Sequence, residues 1–323
     1  MPQTTTDTIR LSIRSAATTR GAVTHWYAVA GHALAADVPI PFLQPFALPA
    51  ASTPAIAPAF DALPPPAEMR LLHRDRLWLG QAQRAITCYG HAQGYRLDVE
   101  GVGAFAIDAA GKTSAWVEPA PDAPPDGVAE AAIGPALMLA LSIRQTWSLH
   151  ASAVILDGVG VIFTGDSGAG KSTLAHYLDG DETSPLRRIA DDVLPIELNG
   201  DALVLLPHYP QLKLPVAQQP AAHLPQRITP AVLYVLEGTA STARVMIEPQ
   251  NPRDATLTLV RHTVATRLFD RDLLARHLAF CAQAGPLLPM RRLVYPRRME
   301  ALPALRDRLL QDLQQLRGVG NRE

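Results

Sequence analysis

The sequence predicts an α/β protein of two domains, a β-rich first domain and a mixed second one organised around a glycine-rich loop. Three observations predict it. Short β-forming runs recur through the first third of the chain. A proline-dense segment, EPAPDAPPDG at 118–127, separates them from an apolar helical stretch. The second part carries GDSGAGKS between an apolar strand and a helix-compatible run. With 323 residues, 48% hydrophobic and 18% charged, the chain is long enough for one large domain or two ordinary ones, and a disordered tail is excluded.

In chain order, strands are expected at 8–15, 24–30, 69–73, 84–89, 95–99, 104–107 and 113–118, the last two joined by a turn at Ala110-Gly111-Lys112. Residues 39–69 hold prolines too often for a helix or a central strand and read as an extended loop. The domain border is placed at 126/127, giving domains 1–126 and 127–323. Asp126 is a candidate cap for a helix over 128–146 with Ile133, Leu137 and Leu141 on its buried face. Strands follow at 149–156 and 160–164 around a tight turn at Asp157-Gly158, so that a hairpin feeds the glycine loop. Further strands are expected at 186–189, 193–198, 202–206, 231–236 and 244–248, then helices at 254–269, 270–284 and 299–316. There is no internal repeat.

Charge and cysteine usage narrow the function classes. A net charge of −1 and a pI near 6.8 argue against broad capture of nucleic acid or anionic membrane. Cys88 and Cys281 stand far apart with no CxxC or Cys/His cluster, which implies neither a disulfide framework nor structural zinc and suits a reducing cytoplasm. The start, MPQTTTDTIR, lacks a signal-peptide pattern, and the apolar stretch at 129–143 falls short of a bilayer span, so neither export nor a membrane anchor is expected. Lysine is scarce: Lys112, Lys171 and Lys213 are the only ones.

The run Gly165-Asp166-Ser167-Gly168-Ala169-Gly170-Lys171-Ser172, followed by Thr173, matches G-x-x-x-x-G-K-[ST] at every fixed position. Glycines let the backbone curl so that its N–H groups face phosphate oxygens, and the next helix adds its positive end. Lys171 would bridge the β- and γ-phosphates, and Ser172 would offer its hydroxyl to Mg²⁺. Nineteen positions on come Asp191 and Asp192. One carboxylate can help hold Mg²⁺ and the other can orient a hydroxyl and take its proton. Neighbours on a regular strand point to opposite faces, so both roles require a bend there; the alternative is a solvated, carboxylate-capped turn.

The set LHASAV at 149–154, GDSGAGKST at 165–173 and IADDV at 189–193 resembles the C-terminal kinase domain of HPr kinase/phosphorylase. It resembles more closely the HPr-kinase-related kinases of peptide-modification gene clusters, including lasso-peptide kinases. The likeness spans about 128–316, and YAVAGHALAADVPIPFL at 27–43 resembles the start of that group's N-terminal domain. It implies a P-loop kinase domain of the phosphoenolpyruvate-carboxykinase-like type. It also implies use of ATP and Mg²⁺ to phosphorylate a hydroxyl, typically serine, on a peptide or small protein, a ribosomal peptide precursor being one such acceptor.

By motif position Asp191 would be the base and Asp192 would hold metal with Ser172, a split that is reversible between the two. His150 falls at the family's histidine near the phosphates, the alternative being a strand histidine satisfied by hydrogen bonds. The chain departs from the bifunctional enzymes at Thr173, where they carry glutamate, and in a longer DGDETSPLRR stretch. Their phosphorylase signature has no match, so phosphorolysis is not expected.

Lys213, in HYPQLKLP, is either a phosphate or substrate contact or a solvated charge. Any of Arg253, Arg261 and Arg267 could stabilise transferred phosphate, and spacing does not choose among them. Lys112 reads as solvated, and Trp26, Trp78, Trp116 and Trp147 as packing residues. Rival functions are a nucleotide-driven ATPase or switch, although no NKxD or LSGGQ-like motif is present, a degenerate nucleotide-binding module, and a kinase of a small hydroxylated metabolite. Homo-oligomerisation is compatible with the sequence.

Overall fold

The computed structural model describes residues 8–13, 25–49, 63–79, 81–180, 184–215, 218–219, 224–239 and 244–320, with side chains to 317. The fold is mixed α/β, and the chain packs as two compact units. One comprises Met1–Ser148, Leu212–Ala222 and Val264–Arg276; the other comprises Leu149–Gln211, His223–Thr263 and His277–Glu323.

The first unit is built on an eight-stranded sheet. Its strands are β1 (Thr8–Ser12), β2 (His25–Val29), β3 (His32–Ala36), β4 (Arg70–Leu79), β5 (Ala82–His91), β6 (Gly94–Val99), β7 (Gly103–Asp108) and β8 (Thr113–Pro119), in the order β2-β3-β1-β8-β7-β6-β5-β4. β1 runs parallel to both β3 and β8, and the β4 to β8 run is an antiparallel meander. Ile9, Leu11, Leu34, Ile86, Leu97 and Phe105 are buried along it, the half-buried pattern that β-branched and large apolar residues favour. β3 has no counterpart among the expected strands. Parts of the expected 8–15 strand and of the 39–69 loop, residues 14–15 and 50–62, lie outside the described residues. Within that loop Pro41–Phe46 and Pro66–Glu68 are short 3-10 turns.

A helical run follows: α1 (Pro125–Ala131), a π-helical turn (Ala132–Ala136) and α2 (Leu137–Ile143). Pro135 has no N–H to give the i→i−4 ladder, and Gly134 takes φ −85, ψ −107 beside it, so the ladder widens to π pitch. Asp126 does not cap the helix. Pro124 occupies the N-cap without a side-chain bond, and Asp126 sits inside the first turn, where a carboxylate still suits the helix dipole. By packing this run joins the β-rich unit, and the division falls after Ser148, later than the proline-marked border at 126/127.

The run also corrects the length reading. Pro125–Ile143 has 19 residues and a mean hydropathy of 1.4, long and apolar enough to cross a bilayer, because helix begins four residues before the stretch counted in the sequence; 78% of its apolar window is buried inside the protein. The β7–β8 turn comes close beneath it. Gly111 has φ +65, and a Cβ there would stand 2.4 Å from the Ala140 carbonyl oxygen, so only glycine admits this approach. Asp108 Oδ1 closes the turn by accepting from Ala110 N (2.8 Å) and Lys112 N (3.0 Å).

Trp26 and Trp147 are core residues, Trp147 meeting Phe269 edge-on at 5.7 Å, and Trp116 donates its indole N–H to Val102 O. Trp78 departs from the packing role: it is 74% exposed on β4, the last strand of its sheet order, where among the described residues no strand pairs with the other flank.

The second unit carries β10 (Ser152–Leu156), β11 (Val159–Thr164), α3 (Lys171–Asp179), β12 (Leu186–Ala190), β13 (Val193–Asn199), β14 (Ala202–Leu205), β15 (Thr229–Thr239), β16 (Met246–Pro249), α4 (Pro252–His262), the later part of α5 (Arg271–Ala284), β17 (Met290–Pro296) and α6 (Leu302–Gly320). A six-stranded sheet has the order β12-β10-β11-β15-β17-β16, and β14 and β13 join β9 (Trp147–His150) in a three-stranded one. β10 and β11 are antiparallel with Ala153 opposite Ile162, whereas β11, β15 and β17 run parallel. Val161 and Phe163, two apart on β11, share one face with Val232, Tyr234 and Leu293, and α3 and α6 cover it with Leu174, Leu178, Leu305, Leu309 and Leu313. Tyr234 donates to Asp312 Oδ2 at 2.7 Å, and Arg291 Nε lies 3.0 Å from the same oxygen, fixing α6 to the sheet.

The helix expected over 254–269 ends at His262. Thr263 turns extended and forms a bridge with Leu149, and this strand-like pairing of a β-branched residue prevails over continued helix.

Candidate functional site

β11 delivers the loop and α3 receives it. Gly168 and Gly170 have φ +76 and +96, and Ala169 N–H donates to Asp166 O, closing a turn inside the loop. At Gly170 the requirement for glycine is double: φ is positive, and a Cβ would fall 2.3 Å from the Tyr295 hydroxyl, which donates to Ala169 O. Lys171 is buried and donates Nζ–H to Gly165 O (2.9 Å) and Asp166 O (3.2 Å), so its ammonium lies within the loop. Ser167, Ser172 and Thr173 are exposed.

The acidic pair sits on a bend between β12 and β13, the condition that two adjacent carboxylates need to serve one place. The bend is held by Gln211, which sequence reasoning missed. Its Oε1 accepts from the backbone N–H of Asp191 (3.1 Å), Asp192 (2.9 Å) and Val193 (3.2 Å), and its Nε2 donates to Val193 O and Tyr209 O. Gln211 is 1% exposed. One buried amide thus satisfies donors that would otherwise stay unpaired at heavy cost. HYPQLKLP was singled out for Lys213, which is exposed and packs with the first unit; the residue acting on the acidic bend is the glutamine two positions earlier.

The bend's main-chain carbonyls accept hydrogen bonds from the loop and from the start of β10. Ser172 Oγ donates to Asp191 O (3.3 Å), Ser152 Oγ donates to the same carbonyl (2.9 Å), and Ala151 N–H donates to Asp192 O (3.3 Å). His150, at the end of β9, places Nδ1 3.4 Å from Asp192 Oδ1. Asp191 is buried, its Oδ1 has no hydrogen-bond partner among the described residues, and Arg188 Nη1 lies 3.9 Å from it. The two aspartates therefore differ: one carboxylate lies beside a histidine, the other has a buried oxygen with no hydrogen-bond partner among the described residues. Tyr209 is fully buried, and burial together with the charge of Asp192 pushes its hydroxyl pKa up.

The structure also separates the three arginines. Arg261, at the end of α4, pairs with Asp166 at 2.8 Å. Arg267 lies beyond the helix and pairs with Asp75 inside the first unit, and Arg253 is exposed in the first turn of α4. Next to Arg261, His262 is buried, and burial, with the charges of Arg261 and Lys171, pushes its pKa down to about 4. No motif announces His262, Tyr295 or Gln211, because each reaches the site through tertiary packing.

The donor set fits a magnesium ion. A hydroxyl with one or two carboxylates is the hard-oxygen set that holds Mg²⁺ when substrate phosphates complete its shell. Ser172, whose hydroxyl donates to the main-chain carbonyl of Asp191, and the two carboxylates of the acidic pair are of that kind. Among the described residues no group of three or more His, Cys, Asp and Glu is placed to hold a metal by itself.

No family model matches the chain. Among solved structures it is similar to the HPr(Ser) kinase/phosphatase from Coxiella burnetii, at 13% identity and a TM-score of 0.32, with 52% of this chain and 96% of that one covered. So loose a superposition carries nothing about the chemistry of the site.

Proposed function

We propose that the chain is an ATP- and Mg²⁺-dependent P-loop phosphotransferase of the phosphoenolpyruvate-carboxykinase-like type, acting on a serine hydroxyl of a peptide or small protein. The observation that supports it most is the hydrogen bond from Ser172 of the loop to the carbonyl of Asp191, which ties a phosphate-binding loop to a bent acidic pair. In this reading the backbone N–H groups of residues 165–172 and Lys171 bind the phosphates. Ser172 and Asp192 would hold Mg²⁺, which when bound offsets charge on the phosphate oxygens. Asp191, whose buried Oδ1 has no hydrogen-bond partner among the described residues, orients the acceptor hydroxyl and takes its proton. His150 holds the Asp192 carboxylate from the side of β9.

Calorimetry and mass spectrometry test the reading. Lys171→Ala should lose Mg·ATP binding. Asp191→Asn should bind Mg·ATP close to wild type yet lose transfer to serine-containing peptides by about 10²- to 10⁴-fold, the usual cost of removing a positioned base. Brisk hydrolysis without any modified hydroxyl, unchanged in Asp191→Asn, would instead identify a nucleotide-driven switch.

A further inference from the structure

Arg261 and Asp166 form an ion pair at 2.8 Å with side chains 69% and 74% exposed. Such a pair contributes about 0–1 kcal/mol to stability, so holding the fold together does not account for it. Its position does. Asp166 is the second residue of the loop, and a carboxylate there repels the phosphate oxygens that the glycines and Lys171 are arranged to attract. An arginine resting on that carboxylate is a cation stored at the edge of an anion site.

The backbone under Arg261 is firmly held, whereas its side chain lies in solvent. Thr263 Oγ1 donates to Leu259 O, Thr263 bridges to Leu149, and His262 is buried. With a pKa near 4, His262 is neutral at pH 7 and adds no competing charge. The charges of Lys171, Asp166 and His150 all act on that one imidazole, which places Arg261 in the same electrostatic neighbourhood as the loop lysine. Guanidinium binds phosphate oxygens bidentately and strongly, and an arginine on the transferred group stabilises its transition-state charge.

We propose that Arg261 is a catalytic residue that exchanges Asp166 for the terminal phosphate oxygens of the bound nucleotide, so that the Asp166–Arg261 pair marks the phosphate-free state. This rests on the phosphotransfer reading above.

The test compares wild type with Arg261→Gln, Arg261→Lys, Asp166→Asn, the Asp166→Asn/Arg261→Gln double variant and Arg297→Gln. Arg297 is a useful control because its guanidinium Nη2 lies 3.5 Å from the place a Gly168 Cβ would occupy. Mg·ADP and a non-hydrolysable Mg·ATP analogue are titrated by calorimetry, and release or transfer of the terminal phosphate is followed in single turnovers.

Arg261→Gln should keep ADP affinity within about threefold of wild type. It should lose about 10- to 100-fold for the triphosphate analogue, the worth of a charge-assisted hydrogen bond, and about 10³-fold in turnover. Arg261→Lys should recover part of the loss, Asp166→Asn should not rescue Arg261→Gln, and Arg297→Gln should be milder. Rescue by Asp166→Asn would reduce Arg261 to a neutraliser of that carboxylate. Equal losses for both nucleotides, an equal effect of Arg297→Gln, or wild-type behaviour of Arg261→Gln would each overturn the proposal while the phosphotransfer reading stands. Failure of the wild type to bind either nucleotide would remove both.

Discussion

The glycine loop and the acidic bend lie side by side in one unit but are specified in opposite ways. The loop is written locally: its glycines supply positive φ at Gly168 and Gly170, and its lysine folds back onto carbonyls five and six residues away. The bend has no local determinant of that kind. Three consecutive N–H groups at Asp191, Asp192 and Val193 converge on one amide oxygen from Gln211, twenty residues on from Asp191. A short motif can therefore be intact while the geometry that would make it useful depends on a residue outside every motif.

Breaking the bend should have the largest effect. Gln211→Met keeps the volume but removes the shared acceptor, and at about 1–3 kcal/mol for an unsatisfied buried group it should lower the urea midpoint clearly. Because the loss falls on the bend, phosphotransfer should drop further than stability does, and Mg·ATP binding through the loop least. If Gln211→Met kept full transfer activity, the bend would not need its amide.

The loop can be strained without removing any group proposed to bind phosphate. Gly170→Ala puts a methyl group 2.3 Å from the Tyr295 hydroxyl at φ +96. This should cost about 1–3 kcal/mol of backbone strain and weaken nucleotide binding. Pairing it with Tyr295→Phe should recover only part of the loss, since the positive φ persists; full recovery would assign the whole requirement to the hydroxyl.

The smallest expected effect separates His262, beside the loop, from His277, buried in the same unit with Nε2 2.9 Å from Thr263 Oγ1. Burial lowers both pKa values to about 4. In the unfolded chain they return to about 6.5, so below that pH the unfolded state binds the extra protons. Stability from both is complete above pH 6.5 and is lost as pH falls toward 4. Thermal melts across that range should show the decline. His277→Gln should flatten it without touching nucleotide affinity, while His262→Gln should flatten it and alter binding as well.

Much of the fold was legible because it is local. The β10–β11 hairpin followed from Asp157-Gly158 between apolar runs, and the loop from its glycines, as found. What escaped the sequence depends on distant partners. α4 stops at His262 because Thr263 finds a strand partner, and the apolar run from Pro125 groups with the β-rich unit, where Gly111 admits the close approach of the β7–β8 turn to Ala140. Trp78 carries the bulk of a core residue yet stands on the last strand of its sheet, which composition cannot reveal. Within the site the loop and the acidic pair were readable from pattern. Gln211, His262 and the choice of Arg261 among three arginines were not, since each is defined by what it touches.

The tie between α6 and the sheet sets a limit on how the protein can be shortened. Asp312 is 3% exposed and answers both Tyr234 and Arg291, and Leu313 packs into the same apolar face one residue later. A chain trimmed from its C-terminal end down to residue 314 would lose the contact of Leu316 but keep Asp312 and Leu313 on that face. Three residues further, with residue 311 as the last, the cut would strand the half-buried Arg291 and the buried Tyr234 hydroxyl together, turning a trimmed end into an opened core from which β15 and β17, and the loop resting on Tyr295, would lose their cover.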